Sequence, residues 1–111
     1  MQFLNEFLLI GGINVVITKE YSHSFDRKKI FTIMEREMEP YIKKYGVKLF
    51  RTDEYSYSAK VGFFGSGEVR VLEDKIVITI DSPFLNSSNK AKVESEMDKY
   101  VQKLFQQVLE D

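Results

Sequence analysis

The sequence predicts an α+β fold, a two-layer sandwich in which an antiparallel β-meander carries two amphipathic helices on one face. Three observations predict it: a helical stripe of apolar residues follows a β-branched run, four alternating segments come next, and a second helical stripe closes the sequence. Helices and an antiparallel sheet bury their apolar sides by packing in two layers. The expected order of elements is β-α-β-β-β-β-α.

The first half of the sequence predicts one strand and one long helix. Residues 13–18 form the β-branched run INVVIT, which is typical of a strand. Ser24 is a good N-cap for the helix, and Gly46 is a good residue to end it. The apolar stripe consists of Ile30, Met34, Met38, Tyr41, Ile42 and Tyr45. Pro40 interrupts this stripe at a cost of about 3 kcal/mol, but burial of the apolar residues beyond it returns more, so we expect a kinked helix.

The second half predicts a meander and a final helix. Strands are expected at residues 47–52, 55–64, 68–71 and 76–80, because apolar and polar residues alternate there. Gly65-Ser66-Gly67 is expected to be a turn, and Pro83 to end the sheet. Ser87 or Ser88 is expected to cap the last helix. Its apolar stripe consists of Val93, Met97, Tyr100, Val101, Leu104, Phe105 and Val108.

The length of 111 residues indicates a single domain. We place this domain at residues 13–111 and treat residues 1–12 as an apolar N-terminal extension. The extension lacks a basic region and is interrupted by Glu6, so it makes a poor signal peptide. One interpretation is that the extension is not native, with Gly11-Gly12 encoded by a ribosome-binding sequence.

Charge and composition exclude several kinds of partner. The formal net charge is −1, so the whole molecule does not attract nucleic acid or anionic lipid. No apolar run approaches the roughly 20 residues that span a bilayer. The sequence contains no cysteine, which removes thiolate ligands and is compatible with a reducing compartment. We therefore expect a cytoplasmic protein with no transmembrane segment, no cofactor and no nucleic-acid partner.

Three motifs that could carry chemistry are better explained by structure. Gly62, Gly65 and Gly67 lack the spacing and the following helix of a phosphate-binding loop, so we interpret them as turn residues. Residues 60–64 are similar to the aromatic strand of RNA-recognition modules. The aromatic Phe63, however, has core-facing parity, so we assign it to the core rather than to base stacking. His23 is the only histidine, too few ligands for a metal site, and we expect it to shape the helix start. The sequence therefore predicts no catalytic residue and no metal site.

Two groups of residues are candidate binding sites. The hydroxyls of Tyr55 and Tyr57 could orient a small ligand in a pocket between the helices and the sheet. The apolar residues with outward parity on the opposite sheet face are Phe64, Leu72 and Val77, with Phe50 as a further member. An apolar strip on an uncovered sheet face favours self-association, so this strip is the candidate interface of a homodimer.

Several short motifs occur together in an order that a known family shares. They are Tyr21-Ser22-His23-Ser24, the run GFFGSGEV from Gly62, the Glu73-Asp74 turn, the IVITI strand and Pro83-Phe84-Leu85. With them, the segment from about Val15 to Leu109 resembles a small bacterial family, the polyhydroxyalkanoic acid system proteins, from a granule-associated gene region. The family's usual His-Ser-Leu stands here as His23-Ser24-Phe25. The resemblance implies a cytoplasmic, non-catalytic protein with an accessory link to storage-polymer granules, and it carries over no site residues.

The sequence leaves three functional hypotheses. The first is a non-catalytic interaction protein that self-associates, with another protein or a granule surface as a further partner. The second is a small-ligand or lipid-binding domain with its pocket between the helices and the sheet. The third is a chaperone-like helper that holds partner segments on its apolar sheet surface. An enzyme ranks last, because no acid/base pair or activated nucleophile is visible.

Overall fold

The computed structural model describes residues 15–60 and 65–110, which form two helices and five strands. The strands are β1 (Val15–Ser22), β2 (Lys48–Asp53), β3 (Ser56–Lys60), β4 (Ser66–Val71) and β5 (Lys75–Ser82). The helices are α1 (Arg27–Tyr45) and α2 (Lys90–Glu110). The described elements follow the predicted order, and the predicted α+β sandwich is confirmed. The proposed extension at residues 1–12 lies outside the described residues.

The five strands form one antiparallel sheet in the order β1-β5-β4-β3-β2. In the meander, each of the strands β2 to β4 pairs with the strand that follows it in sequence. The first strand, β1, pairs with β5 instead, with Val15 opposite Ser82 at one end and Ser22 opposite Lys75 at the other. The strands β1 and β2 therefore lie at opposite edges of the sheet. The helix α1, which connects them, has to cross the full width of the sheet.

The hydrophobic core lies between the helices and one face of the sheet. The buried residues of α2 are Met97, Val101, Leu104 and Val108, which confirms the predicted stripe. On α1, the predicted Ile30 and Met34 are buried, but so are Phe31 and Ile33. Tyr45, which the stripe included, is 56% exposed. The buried face of α1 is thus wider than predicted and centred on its first half.

The ends of α1 agree only in part with the sequence prediction. Gly46 ends the helix with φ 64°, as predicted, and the helix continues through Pro40. The predicted N-cap Ser24 is wrong: the side chain of Asp26 accepts from the Lys28 N–H at 3.0 Å. Because the Phe25 N–H donates to His23 Nδ1 at 3.1 Å, the chain is still in a turn at Ser24, and the helix begins two residues later.

The start of α2 and the glycine segment also depart in part from the sequence prediction. The turn that leads into α2 is held by Asn86 rather than by Ser87 or Ser88, because the Asn86 Oδ1 accepts from the Ser88 and Asn89 N–H groups. The Asn89 side chain reciprocates by accepting from the Asn86 N–H, which closes the turn directly before Lys90. In the glycine segment, β4 already begins at Ser66. Gly65 has a positive φ of 138°, as a turn residue does.

Candidate ligand-binding groove

Three cross-strand rows of side chains face the helices, and they differ in size. The row at one end contains Tyr21, Ile76 and Val71, and the middle row contains Lys19, Ile78, Val69, Tyr57 and Arg51. The third row contains Ile17, Ile80, Gly67, Ala59 and Leu49. Ala59 and Gly67 are neighbours in this row and fill almost no volume. They leave a trough in the sheet surface, flanked by Leu49 and Ile80.

An apolar groove runs between the two helices above this part of the sheet. Its walls and floor are Met34 and Met38 of α1, Val93, Met97 and Tyr100 of α2, and Val69, Ile78 and Ile80 of the sheet. Its volume is about 420 Å³, which falls within the roughly 300–1,000 Å³ typical of small-molecule sites.

The groove continues over the trough toward the start of α2. A second cavity, of about 500 Å³, shares Ile80 and Val93 with the groove and adds Ala59, Gly67 and Gly65 as its floor. Phe84 and Leu85, from the loop between β5 and α2, line its side. The two cavities adjoin at Ile80 and Val93, and we call them together the interhelical groove.

Two polar clamps hold the helices to the sheet on either side of this groove. The Tyr57 hydroxyl on β3 donates a hydrogen bond to Glu35 on α1. On β1, Lys19 Nζ and the Tyr21 hydroxyl both donate to Asp98 Oδ1 of α2, at 2.6 and 2.7 Å. Tyr57 and Lys19 belong to the same cross-strand row, so the two helices are anchored on either side of the middle of this row. The residues between the two anchors are Val69 and Ile78, which form the floor of the groove.

The clamps shift the pKa values of the groups that form them. The Lys19 ammonium, followed by the Tyr21 hydroxyl, lowers the pKa of Asp98. Burial, followed by the hydrogen bond to Glu35, raises the pKa of Tyr57 to about 12. Burial and the bond to Asp98 raise the pKa of Tyr21. Both tyrosines therefore stay neutral donors at physiological pH, which suits anchoring rather than proton transfer.

The opening of the groove between the helices is charged but balanced. A smaller cavity of about 210 Å³ shares Glu37, Glu96 and Tyr100 with the groove and adds Lys99 and Lys103. Lys99 pairs with Glu96 at 3.2 Å. Two carboxylates and two ammonium groups therefore surround this opening, so it carries no net charge.

Of the predicted pocket residues, Tyr57 belongs to the hydrophobic core and Tyr55 packs against it. Tyr57 is 6% exposed and stacks on Phe31 with ring centroids 4.9 Å apart. Tyr55 meets Phe31 edge to face, and the Arg27 guanidinium lies 4.0 Å from the centre of its ring. Neither tyrosine is among the residues that line the interhelical groove.

Two of the predicted interface residues, Val77 and Leu72, lie on or near the sheet face opposite the helices. Val77 lies on this face between Glu20 and Arg70 on the neighbouring strands. Leu72 follows β4 directly, and its N–H donates to the Lys75 carbonyl at 2.8 Å. Phe64 lies outside the described residues. Phe50 is on the same face and is 52% exposed, but serines and charged residues separate it from Val77.

His23 joins three parts of the fold. Its Nδ1 accepts from the Phe25 N–H, its Nε2 lies 2.9 Å from the Leu72 carbonyl, and its N–H donates to the Asp74 carbonyl. The bond from Phe25 requires a lone pair on Nδ1, so Nε2 carries the proton and donates to Leu72. These contacts tie the start of α1 to the turn between β4 and β5.

Residues 15–60 and 65–110 contain no group of three or more histidine, cysteine or acidic residues that could hold a metal ion. In the same part of the chain, neither helix is long and apolar enough to cross a membrane. Fold and groove together define a two-layer α+β domain with an apolar cleft between its helices.

None of the protein-family models matches this chain, and no curated protein or solved structure was found to be similar to it. The resemblance to the polyhydroxyalkanoic acid system proteins therefore stays a prediction.

Proposed function

We propose that this protein is a non-catalytic binding module that takes an apolar small molecule or a lipid chain in the interhelical groove. The observation that carries the proposal is the apolar cavity above Ala59 and Gly67, which adjoins the cleft between the helices at Ile80 and Val93. Small-molecule sites are concave and mostly apolar, with a few polar groups at the edge, and the interhelical groove has this composition.

The walls of the groove support the same proposal. Met38 lies on the wall of the groove, and Met34 and Met97, which are buried in the core, lie directly behind it. Methionine side chains adapt to ligands of different shape because they are unbranched and polarizable. The clamps at Glu35 and Asp98 fix the outer flanks of the helices. The inner flanks can then adjust by methionine rotamer changes while the sheet and the helix axes stay in place.

The test fills the trough with a larger side chain. Ala59 and Ser58 are adjacent on β3 but face opposite sides of the sheet. We expect Nile red, an uncharged apolar dye, to gain fluorescence with the natural protein. Ala59→Leu should weaken dye binding at least tenfold, and the control Ser58→Leu should leave it unchanged.

Thermal unfolding of both variants checks that each is folded, and Val93→Trp, on the opposite wall, provides a second way to fill the groove. Failure of the natural protein to bind the dye would overturn the proposal. The proposal would also be overturned if Ala59→Leu and Val93→Trp are both folded and still bind the dye as tightly as the natural protein does.

The second candidate is a self-associating, cytoplasmic interaction protein, linked to storage granules as the family resemblance implies. It is favoured by the exposed ring of Phe50 on the sheet face opposite both described helices. Sedimentation equilibrium tests it: we expect a dimer that Phe50→Lys and Val77→Lys together convert to a monomer. A natural protein that stays monomeric at high concentration contradicts this candidate, and the absence of polymer-synthase genes from the gene neighbourhood contradicts the granule link.

A further inference from the structure

We propose that the ligand of the interhelical groove is an uncharged molecule with a single unbranched aliphatic chain. The inference rests on the proposed function and specifies the class of its ligand. Three observations carry it: the width of the trough, its length along the strands and the charge balance at its openings.

The trough has the width of one aliphatic chain. In its row, Ala59 and Gly67 lie on neighbouring strands, and Leu49 and Ile80 stand on either side of them. Neighbouring strands are about 4.8 Å apart, so the missing side-chain volume spans only two strands. A fused-ring or branched ligand would have to displace Leu49 or Ile80, whereas a linear chain fits between them.

The groove is long in the direction of the strands. Its floor runs along β4 from Val69 to Gly67 and on to Gly65, which directly precedes that strand. The four residue steps from Val69 to Gly65 cover roughly 14 Å in an extended chain. Each methylene buried along this length should tighten binding about fourfold, until the chain reaches the end of the groove.

Neither opening of the groove favours a charged head group. Between the helices, the opposing charges of Glu37, Glu96, Lys99 and Lys103 balance. Near the start of α2, the lining adds the neutral side chains of Ser82 and Asn89. Asp81 alternates with Ile80 along β5, so its carboxylate is directed to the opposite face of the sheet. A charged head would lose hydration at either opening without meeting a net opposite charge. A hydroxyl or a similar neutral group loses less.

The test is competition against Nile red on the full chain, below the micelle-forming concentrations of the competitors. The probes are 1-decanol, decanoate and decyltrimethylammonium, which share one chain and differ in head charge. We expect 1-decanol to displace the dye at a concentration at least tenfold lower than either ion. Shortening 1-decanol to 1-octanol should weaken displacement about 15-fold, at fourfold for each methylene.

A charge variant at the opening between the helices gives an internal control. Lys103→Glu makes this opening negative, so it should strengthen decyltrimethylammonium binding severalfold and leave 1-decanol unchanged. An equal effect on both probes would contradict the assigned charge balance.

The failures of the two proposals can be told apart. One outcome is that Nile red binds while decanoate competes as well as 1-decanol does, and another is that it binds while chain length has no effect. Either result shows that the proposed ligand class is wrong, although the groove still binds an apolar molecule. If the natural chain does not bind the dye, the proposed function fails. Binding that appears only in a Phe7→Asp, Leu8→Asp variant would assign the groove to apolar residues of the chain itself and overturn both.

Discussion

The hydroxyl of Tyr57 on β3 donates a hydrogen bond to the Glu35 carboxylate on α1. The same tyrosine ring stacks on Phe31, one turn earlier in the helix. A single side chain thus contributes an apolar contact and a polar anchor to the same helix. Because Lys19 makes the equivalent anchor to α2 at the other flank of the row, the width of the interhelical groove depends on both bonds.

Removing the Tyr57 hydroxyl should destabilise the protein. A hydrogen bond to a charged group is worth about 1.5–3 kcal/mol when shielded, and Glu35 is exposed, so we expect Tyr57→Phe to cost about 1 kcal/mol. Urea unfolding of Tyr57→Phe, Glu35→Gln and the double variant measures the coupling between the two groups. Tyr55→Phe is the control, because Tyr55 packs on Phe31 through its ring; an equal loss in this control would contradict the assignment.

The clamp at Asp98 should make stability depend on acid pH. The pKa of Asp98 is lowered in the folded protein. The ionised carboxylate therefore stabilises the fold above the pKa of the unfolded chain, about 4, and this stabilisation is lost as the pH falls through the lower pKa of the folded protein. The advantage of the natural protein over Asp98→Asn should therefore shrink steadily below about pH 4. Chemical unfolding at a series of pH values checks this.

Glu96→Gln provides the matched control for the acid dependence. Glu96 lies on the same helix, and its partner Lys99 is exposed, so this pair should contribute little. If Glu96→Gln changes the acid dependence as much as Asp98→Asn does, the clamp is not its source.

The cap of α2 predicts a contrast between adjacent residues. Asn86→Ala removes the acceptor of two backbone N–H groups and should cost about 1 kcal/mol, as loss of an N-cap does. Ser87→Ala should be nearly neutral, since no such bond depends on it. Thermal unfolding distinguishes the two variants, and a larger loss for Ser87→Ala would restore the serine cap that the sequence suggested.

Two glycines with positive φ should differ in their tolerance of alanine. At Gly46 an added Cβ meets nothing within 4 Å, so Gly46→Ala should cost about 1 kcal/mol from backbone strain alone. At Gly65 the added Cβ would lie 2.6 Å from the Asp81 carbonyl oxygen and 2.9 Å from Ser82 Cβ. Gly65→Ala should therefore cost clearly more, because β5 has to move. Equal melting temperatures for the two variants would contradict this difference.

The sequence predicts the fold well because periodicity reports which side of each element is buried. Only one face of β5 carries an unbroken row of apolar residues, the one with Ile76, Ile78 and Ile80. Likewise, only one face of α2 carries Met97, Val101 and Leu104, so each element has one way to face the core. Caps are harder to predict, because Ser24 and Asp26 are equally capable and the turn at His23 decides between them.

The site is less visible in the sequence than the fold. Ala59 and Gly67 are small residues with core-facing parity, which is the signal for the trough, but only the strand register makes them neighbours. The Tyr21–Asp98 bond joins residues 77 positions apart, so no local pattern indicates it. For Tyr57 the parity is right, but the sequence cannot show that its hydroxyl bonds to Glu35.

The pairing of β1 with β5 has a consequence for biosynthesis. The first strand of the domain emerges from the ribosome well before its only sheet partner among the described residues, since Val15 pairs with Ser82. Contacts of this range close late, because the entropy of a long loop must be overcome first. Until then the nascent chain presents β1 as an unpaired, β-branched edge, which is the interval in which this protein most needs protection from aggregation.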